Sequence, residues 1–547
     1  MQEAKMLWKA AYPAPPESRR DNVENTHEMA SLPVRAWWTM DSTALRDLEQ
    51  AGRFGTNTLI IESDTQGVWS EVVDGLALYE FSARHRRDGA RRARVETLRH
   101  HYTAITKAAR QRGLNSYVMC SELSLPDSFE PLALSYDNPE MWRLVYERLR
   151  EVFRALPCLD GFMLYLAEAR YDVTDLPGSE PSMTARYERV IDTVWQACRA
   201  EGRKLLVTTF IHRPERLKAV AEALRRLAPH PDLAVVQYCC PNDWGLYALA
   251  NPSIGQVGPH PEILGFDYAA ENWGQGAHPF VQVHFMARRL RESLRRGARI
   301  AGLAGYVAWY GRRALGSLNE ANIDGAAVLA ADPQRSAGDI LHAWCVDRFG
   351  EKAARVAARC LARTHDVVFH AQHVFGYWLD TSEKSGLPSF RELQEYLIDD
   401  AWGEALYRWD GRHRRTWEKI QAPDRAFLAA VLAEKDHAID LCRRSLGEVR
   451  VARGALESGD FECLEQAFAF QEHWARLWRA LVHAFFLYRI GLVQRDMPGV
   501  VEDLRAALAS LSRTADELEA GFGRDVFPPG PDRARDFISS LHPLTLR

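Results

Sequence analysis

The chain has 547 residues, 47% of them hydrophobic and 26% charged, the balance of an ordinary globular protein and enough for two large domains at roughly 100–250 residues each. Its 69 Lys+Arg against 73 Asp+Glu leave a formal charge of −4, which gives no general reason to expect a nucleic acid or an anionic membrane as partner. No uninterrupted apolar run reaches ~18 residues, no signal-type apolar core opens the sequence, and the nine cysteines include no CxxC, so a cytoplasmic chain with reduced thiols and no membrane span is expected.

In chain order, residues 1–32 read as a polar, Pro-containing lead-in. From 33 to 330 one unit repeats: a short β-rich run, a polar residue at its end, then an amphipathic helical stretch. Strands are predicted at 34–38, 57–61, 116–120, 159–166, 205–211, 233–239, 263–268 and 302–309. Helices are predicted at 42–53, 96–113, 137–156, 183–202, 213–228 and 278–298. Alternating β and α with near-continuous apolar strands implies a parallel sheet covered by helices. Eight strands without a clear hairpin signal favour a closed (β/α)8 barrel, a TIM barrel, over a doubly wound sheet. After about 330 the β signal stops, and 331–547 reads as an all-α C-terminal domain. Its clearest helix, 461–494, places Trp474, Trp478, Leu481, Phe485 and Tyr488 on one stripe, read as helix–helix core, with any excess face serving a homodimer.

In such barrels the reactive groups stand at the C-terminal ends of the strands, where the βα loops converge. Strand 1 ends in Trp37-Trp38-Thr39-Met40-Asp41, strand 2 in Glu62-Ser63-Asp64 and strand 3 in Ser121-Glu122. Strand 4 runs into Ala167-Glu168-Ala169-Arg170 and strand 5 into His212-Arg213. Tyr238 lies on strand 6, which leads to Pro241-Asn242-Asp243-Trp244; strand 7 leads to Glu271-Asn272-Trp273-Gly274-Gln275, and strand 8 ends at Trp309. A carboxylate follows six of the eight strands, mixed with Trp, Tyr and His, which is the lining expected of a carbohydrate pocket. Glycoside hydrolysis needs two carboxyl functions, a protonated acid for the leaving oxygen and a second group that activates water or attacks the anomeric carbon. Trp37, Trp38, Trp244, Trp273 and Trp309 are candidates to cover the apolar faces of a sugar, although Trp37 and Trp38 cannot both point inward because strand side chains alternate. Glu62 and Glu122 suit substrate hydroxyls, or else cap helices or join buried polar networks. His365, His370 and His373 lack a convincing acidic or thiolate partner, so no metal or cofactor is expected.

These residues resemble the α-glucuronidases of glycoside hydrolase family 67. Gly161-Phe162-Met163-Leu164 with Glu168 is similar to that family's G-F-x-V…S-E-G segment, which implies Glu168 as general acid. Pro241-Asn242-Asp243-Trp244 is similar to its P-x-D-F segment, and Glu271-Asn272-Trp273-Gly274-Gln275 to its Q-E-Y-x-G-Q segment. The resemblance implies Asp243 and Glu271, 28 positions apart as in the family, as the carboxylates that serve the attacking water. Ala301–Gly305, Ala321-Asn322, Ala331-Asp332-Pro333 and Trp344 extend it beyond strand 8. Two departures stand out. Nothing ahead of strand 1 matches the family's N-terminal domain, and the cations that hold the substrate carboxylate are replaced by Leu164-Tyr165, Thr208-Thr209-Phe210 and Tyr238. A desolvated carboxylate needs a cationic partner; either the sugar is neutral, or Arg170, His212, Arg213 or Arg35 takes over, Arg213 being equally readable as an ordinary residue opening helix 213–228. The resemblance thus implies an exo-acting, inverting α-glycoside hydrolase; the alternatives are a retaining or divergent glycosidase on the same barrel and a non-catalytic carbohydrate-binding barrel.

Overall fold

The structure is a computed structural model and describes residues 31–547 except 65–71, 122, 124, 127, 131–132, 168–170, 242–243, 247–249, 275, 310–311, 380–386, 402, 404, 524–529 and 546–547. Eight strands, β1 (Val34–Met40), β2 (Thr58–Glu62), β3 (Asn115–Ser121), β4 (Gly161–Tyr165), β5 (Lys204–Thr208), β6 (Leu233–Tyr238), β7 (Glu262–Phe266) and β8 (Ile300–Tyr306), pair in sequence order and close into a barrel. The closing pair is parallel, with Val34 opposite Gly302 and Trp38 opposite Tyr306. Gly302 is needed there, because an added Cβ would overlap Val34 O. β2 (TLIIE) and β4 (GFMLY) are buried along their whole length, as strands covered on both faces must be. The predicted strands 159–166, 205–211 and 302–309 stop earlier, at Tyr165, Thr208 and Tyr306, where the chain leaves the ladder to form the rim loops.

The principal barrel helices are α1 (Gly89–Gln111), α2 (Pro139–Ala155), α3 (Met183–Ala200), α4 (Pro214–Arg226), α5 (Val283–Arg295) and α6 (Glu320–Ala331). Local sequence starts several of them. Asn138 caps α2 by accepting from Glu140 N, with proline in the first turn, and Ser182 caps α3 by accepting from Ala185 N; both satisfy N–H groups that a helix start leaves open. The predicted helix 278–298 begins only at Val283. Phe280 N donates to Asn319 Oδ1, Val281 N to Thr364 Oγ1 and Gln282 N to Asn322 Oδ1, so side chains hold this backbone in a loop. The predicted helix 42–53 is two short pieces, Ala44–Leu48 and Ala51–Phe54.

The remainder is mostly helical, including α7 (Ala337–Phe349), α8 (Glu351–Ala362), α9 (Thr364–Gln372), α10 (Arg425–Val451), α11 (Ser458–Gln494) and α12 (Met497–Phe522). The stripe Trp474, Trp478, Leu481, Phe485 and Tyr488 is buried within the chain itself, so it leaves no open face there for a second copy. The expectation that β structure ends with the barrel needs correction. His373–Val374 and Tyr377–Trp378 form an antiparallel hairpin, with positive φ at both turn residues, Phe375 (+49°) and Gly376 (+90°). That is the handedness a two-residue hairpin turn requires. The Glu434 carboxylate accepts from Phe375 N at 3.2 Å to each oxygen, and Lys435, buried beside Glu434, donates to His370 O at 2.7 Å and to His373 O. No helix among the described residues is long and apolar enough to cross a membrane.

Candidate active site

The inward register of β1, β2 and β8 assembles the first part of the mouth. Trp38 stacks on Tyr306 at 4.4 Å between centroids and donates its indole N–H to Glu62 Oε2 at 2.9 Å. Tyr306 donates its hydroxyl to the same oxygen at 2.5 Å. Burial first, and then the Glu62 carboxylate, push the Tyr306 phenol well above its usual range, with Tyr238 and Glu271 adding to the effect. Tyr306 therefore stays a proton donor at any ordinary pH, and Glu62 is held as an acceptor by two donors on one oxygen.

The second part comes from β5, β6 and the loops after β6 and β7. Trp244 stacks on Tyr238 at 4.2 Å, lies over the bare Cα of Gly265 on β7, and meets Tyr306 edge-on at 5.9 Å. Its indole N–H donates to Glu271 Oε2 at 3.0 Å. Trp244 (φ +42°) and Ala270 (φ +62°) both hold left-handed backbone, which costs ~1–3 kcal/mol per non-glycine residue and clusters at functional sites. Phe210 and Tyr165 extend the wall: Phe210 packs on Tyr238 at 4.9 Å and Tyr165 stacks on Phe210 at 5.1 Å. Trp309 meets Tyr306 edge-on at 5.1 Å. Two buried carboxylates, Glu62 and Glu271, thus share one aromatic wall and flank one phenol.

Of the candidates read from sequence, Trp38, Glu62, Tyr238, Trp244, Glu271 and Trp309 come together here. His212 packs edge-on to Phe210 at 4.7 Å; with Arg213, Ala167, Asp172 and Arg216 it lines a cavity of about 150 Å³ beside the ends of β4 and β5. Glu122, Glu168, Arg170 and Asp243 lie outside the described residues. Two tryptophans need correction. Trp37 faces outward and packs on Phe54 in the helix layer at 5.7 Å, because Trp38 takes the inward place. Trp273 is wholly buried among Phe280, His373 and Trp378, so it joins the barrel to the helical part rather than presenting a sugar platform. Arg35 also stands away from the mouth, bonded to Gly55 O at 2.6 Å near the start of β1.

Sequence reasoning missed Tyr306, and placed Tyr165 and Phe210 only at positions where the family has cations, not as part of an aromatic wall. The signal for Tyr306 was its register opposite Trp38, at the end of β8 and three residues before Trp309. It also missed Arg312, which pairs with Trp309 in a short antiparallel hairpin after β8 and whose pKa is lowered by burial.

No protein-family model matches the sequence, and no curated protein matches it. Solved structures do align with the chain. A GH138 enzyme targeting the pectin rhamnogalacturonan II aligns with a TM-score of 0.59 at 11% identity, over 90% of this chain and 62% of its own. A GH115 4-O-methyl-α-glucuronidase with specificity for decorated arabinogalactans aligns with a TM-score of 0.47 at 10% identity, over 93% and 62%. An O-GlcNAc hydrolase from Thermobaculum terrenum aligns with a TM-score of 0.41 at 12% identity, over 92% and 99%. The chain spans about three fifths of the length of the GH138 enzyme. Its architecture, a parallel eight-stranded barrel followed by helices, is shared over 90% of the chain with that GH138 enzyme.

Proposed function

We propose that this protein is an exo-acting, inverting α-glycoside hydrolase. The observation that carries the reading is the Glu271 carboxylate, buried at the barrel mouth, bonded by the Trp244 indole N–H and set against an aromatic wall. A buried carboxylate is costly unless hydrogen-bonded. Here it stands at the rim position where barrel enzymes carry their chemistry. The order of Glu168, Asp243 and Glu271 after strands 4, 6 and 7 supports the same reading through its likeness to the α-glucuronidases of family 67.

In this mechanism Glu168 protonates the glycosidic oxygen, while Asp243 and Glu271 orient and deprotonate a water on the opposite face of the sugar. The product is the β-anomer. Glu62, held by Trp38 and Tyr306, accepts from a substrate hydroxyl, and the tryptophan and tyrosine faces cover the ring's C–H surface. The GH138 enzyme that shares the fold targets a pectic polysaccharide, but fold alone does not select a sugar. The cations do: His212, Arg213 and Arg312 stand on rim segments at this end of the barrel, and a terminal uronic acid would have to find its partner among them or Arg170.

The test is hydrolysis of paired aryl α-glycosides, the glucuronide beside the glucoside, galactoside and xyloside, with the product anomer followed by NMR. Turnover with inversion is expected, and retention would overturn the assigned roles. Replacing Glu168 with Gln should abolish turnover of poor leaving groups and spare good ones; equal loss for both would remove Glu168 as the acid.

A further inference from the structure

A second cavity, of about 730 Å³, lies between the barrel and the helical part, within the ~300–1,000 Å³ range of small-molecule sites. None of Trp38, Glu62, Trp244, Glu271 or Tyr306 lines it. One wall is Gly276–Pro279 and Ser317–Asn319; the other is the face of α11 that carries Glu462, Cys463, Gln466 and Phe470, with Phe522 at the end of α12. The first wall belongs to the loops after β7 and β8, the same two that bring Glu271 and Trp309 to the mouth. Three lining glycines open the space. An added Cβ at Gly459 or Gly521 would meet nothing within 4 Å, and at Gly276 only Arg313 O at 3.9 Å.

The lining sets the chemistry of an occupant. Phe470 and Phe522 meet edge to face at 5.3 Å and supply apolar ring surface. Gln466 supplies an exposed amide group; the Ser317 hydroxyl already donates to Ala314 O and accepts from Asn319 N, and Asn319 Oδ1 accepts from Phe280 N. Glu462 is the one acidic side chain, and no Lys or Arg lines the cavity among the described residues. An anionic ligand would meet the Glu462 carboxylate, and Arg348, which acts on the neighbouring Cys463 thiol, is already paired with Asp460 at 2.6 Å. A molecule with apolar faces and neutral hydroxyls suits the two rings and the Gln466 and Glu462 side chains of the helical wall.

We propose that this crevice is a carbohydrate site that holds the neutral, uncleaved part of a glycan whose terminal sugar occupies the mouth. The proposal rests on the glycosidase reading for its link to the mouth, and direct binding separates the two. Cys463 is an exposed thiol on the crevice wall, so its alkylation by iodoacetamide, followed by peptide mass spectrometry on the full chain, reports occupancy without any turnover. Neutral xylo-, arabino- and galacto-oligosaccharides are the probes, with oligogalacturonides as the anionic control.

At least one neutral series should slow Cys463 alkylation several-fold, and the oligogalacturonides should not. Gln466→Trp, on the exposed face of α11, should fill the crevice and abolish protection while leaving aryl-glycoside turnover at the mouth unchanged. Glu462→Lys should let the oligogalacturonides protect. The proposal is overturned when no neutral series protects the thiol, when protection survives Gln466→Trp, or when the anionic series protects the unaltered chain equally well. Protection without turnover of any glycoside keeps the crevice site and overturns the glycosidase reading instead.

Discussion

At the barrel mouth Trp38 and Trp244 donate their indole N–H groups to carboxylates, Glu62 at 2.9 Å and Glu271 at 3.0 Å. In α11 the equally buried Trp474 and Trp478 have no hydrogen-bond partner for theirs among the described residues. An unmatched buried N–H costs ~1–3 kcal/mol, and the helical core tolerates it because a large ring fills space there. At the mouth the same residue type is spent differently: each indole is matched to a charge that would be expensive to bury alone. The difference distinguishes Trp38 and Trp244 from the packing tryptophans, while Trp309 joins the mouth by its ring contact with Tyr306 instead. It also places Trp273, whose indole N–H is likewise without a partner among the described residues, with the packing set.

The largest effect should come from the mouth. Glu271→Gln keeps the shape and removes the charge, so kcat on the best aryl glycoside should fall ~10²–10⁴-fold, with the thermal midpoint almost unmoved. A fall of less than tenfold would take Glu271 out of the chemistry and leave the comparison without its functional half. Trp474→Ala should do the reverse. Loss of a fully buried indole should destabilise the chain by ~3–5 kcal/mol in urea unfolding, while turnover per folded molecule stays the same. A matching loss of kcat would mean that the helical core reaches the site.

His278 lies where the two regions meet, packed on Trp474 at 4.3 Å, and it offers a pH-based test. Burial lowers its pKa from 6.5 to about 4. The unfolded chain therefore takes up this proton first as pH falls. The contribution to stability is complete above about 6.5 and is lost between there and about 4, with a magnitude of roughly 3 kcal/mol at ~1.4 kcal/mol per pKa unit. Urea unfolding of the chain at pH ~7 and ~4.5 should show a loss in that direction, to which buried His370 and His373 also contribute, and His278→Gln should make it smaller by the share of His278. An unchanged slope in the variant would place the acid sensitivity elsewhere.

Much of this was legible in the sequence, and the failures have physical causes. The eight strands could be read because parallel barrel strands are buried on both faces and appear as unbroken apolar runs such as Leu59-Ile60-Ile61. The hairpin at 373–378 could not, since its turn places a phenylalanine at positive φ and depends on Glu434, some sixty residues away. That Glu271 stands at the mouth could be read from its position after strand 7. Tyr306 was missed because a tyrosine inside an apolar strand reads as core, and only its partnership with Glu62, 244 residues away, marks it as part of the site. The outward turn of Trp37 was half legible: alternation requires one of the pair to leave the mouth but does not say which.

The smallest and most discriminating effects come from removing single hydrogen bonds. Trp244→Phe retains a ring on Tyr238 and deletes only the N–H that reaches Glu271. A hydrogen bond to a charged group is worth ~1.5–3 kcal/mol, so a fall of roughly 10- to 100-fold is expected. It should appear in kcat, because the proposed mechanism has Glu271 act on the reacting water. Trp38→Phe deletes the corresponding bond to Glu62, and its effect should appear in KM, because the proposed role of Glu62 is to hold a substrate hydroxyl before and during reaction alike. Steady-state kinetics on one aryl glycoside would separate the two. Should both variants change the same constant, Glu62 and Glu271 would be acting as one unit through Tyr306, and the mouth would have to be treated as a coupled carboxylate pair rather than as one reacting and one binding group.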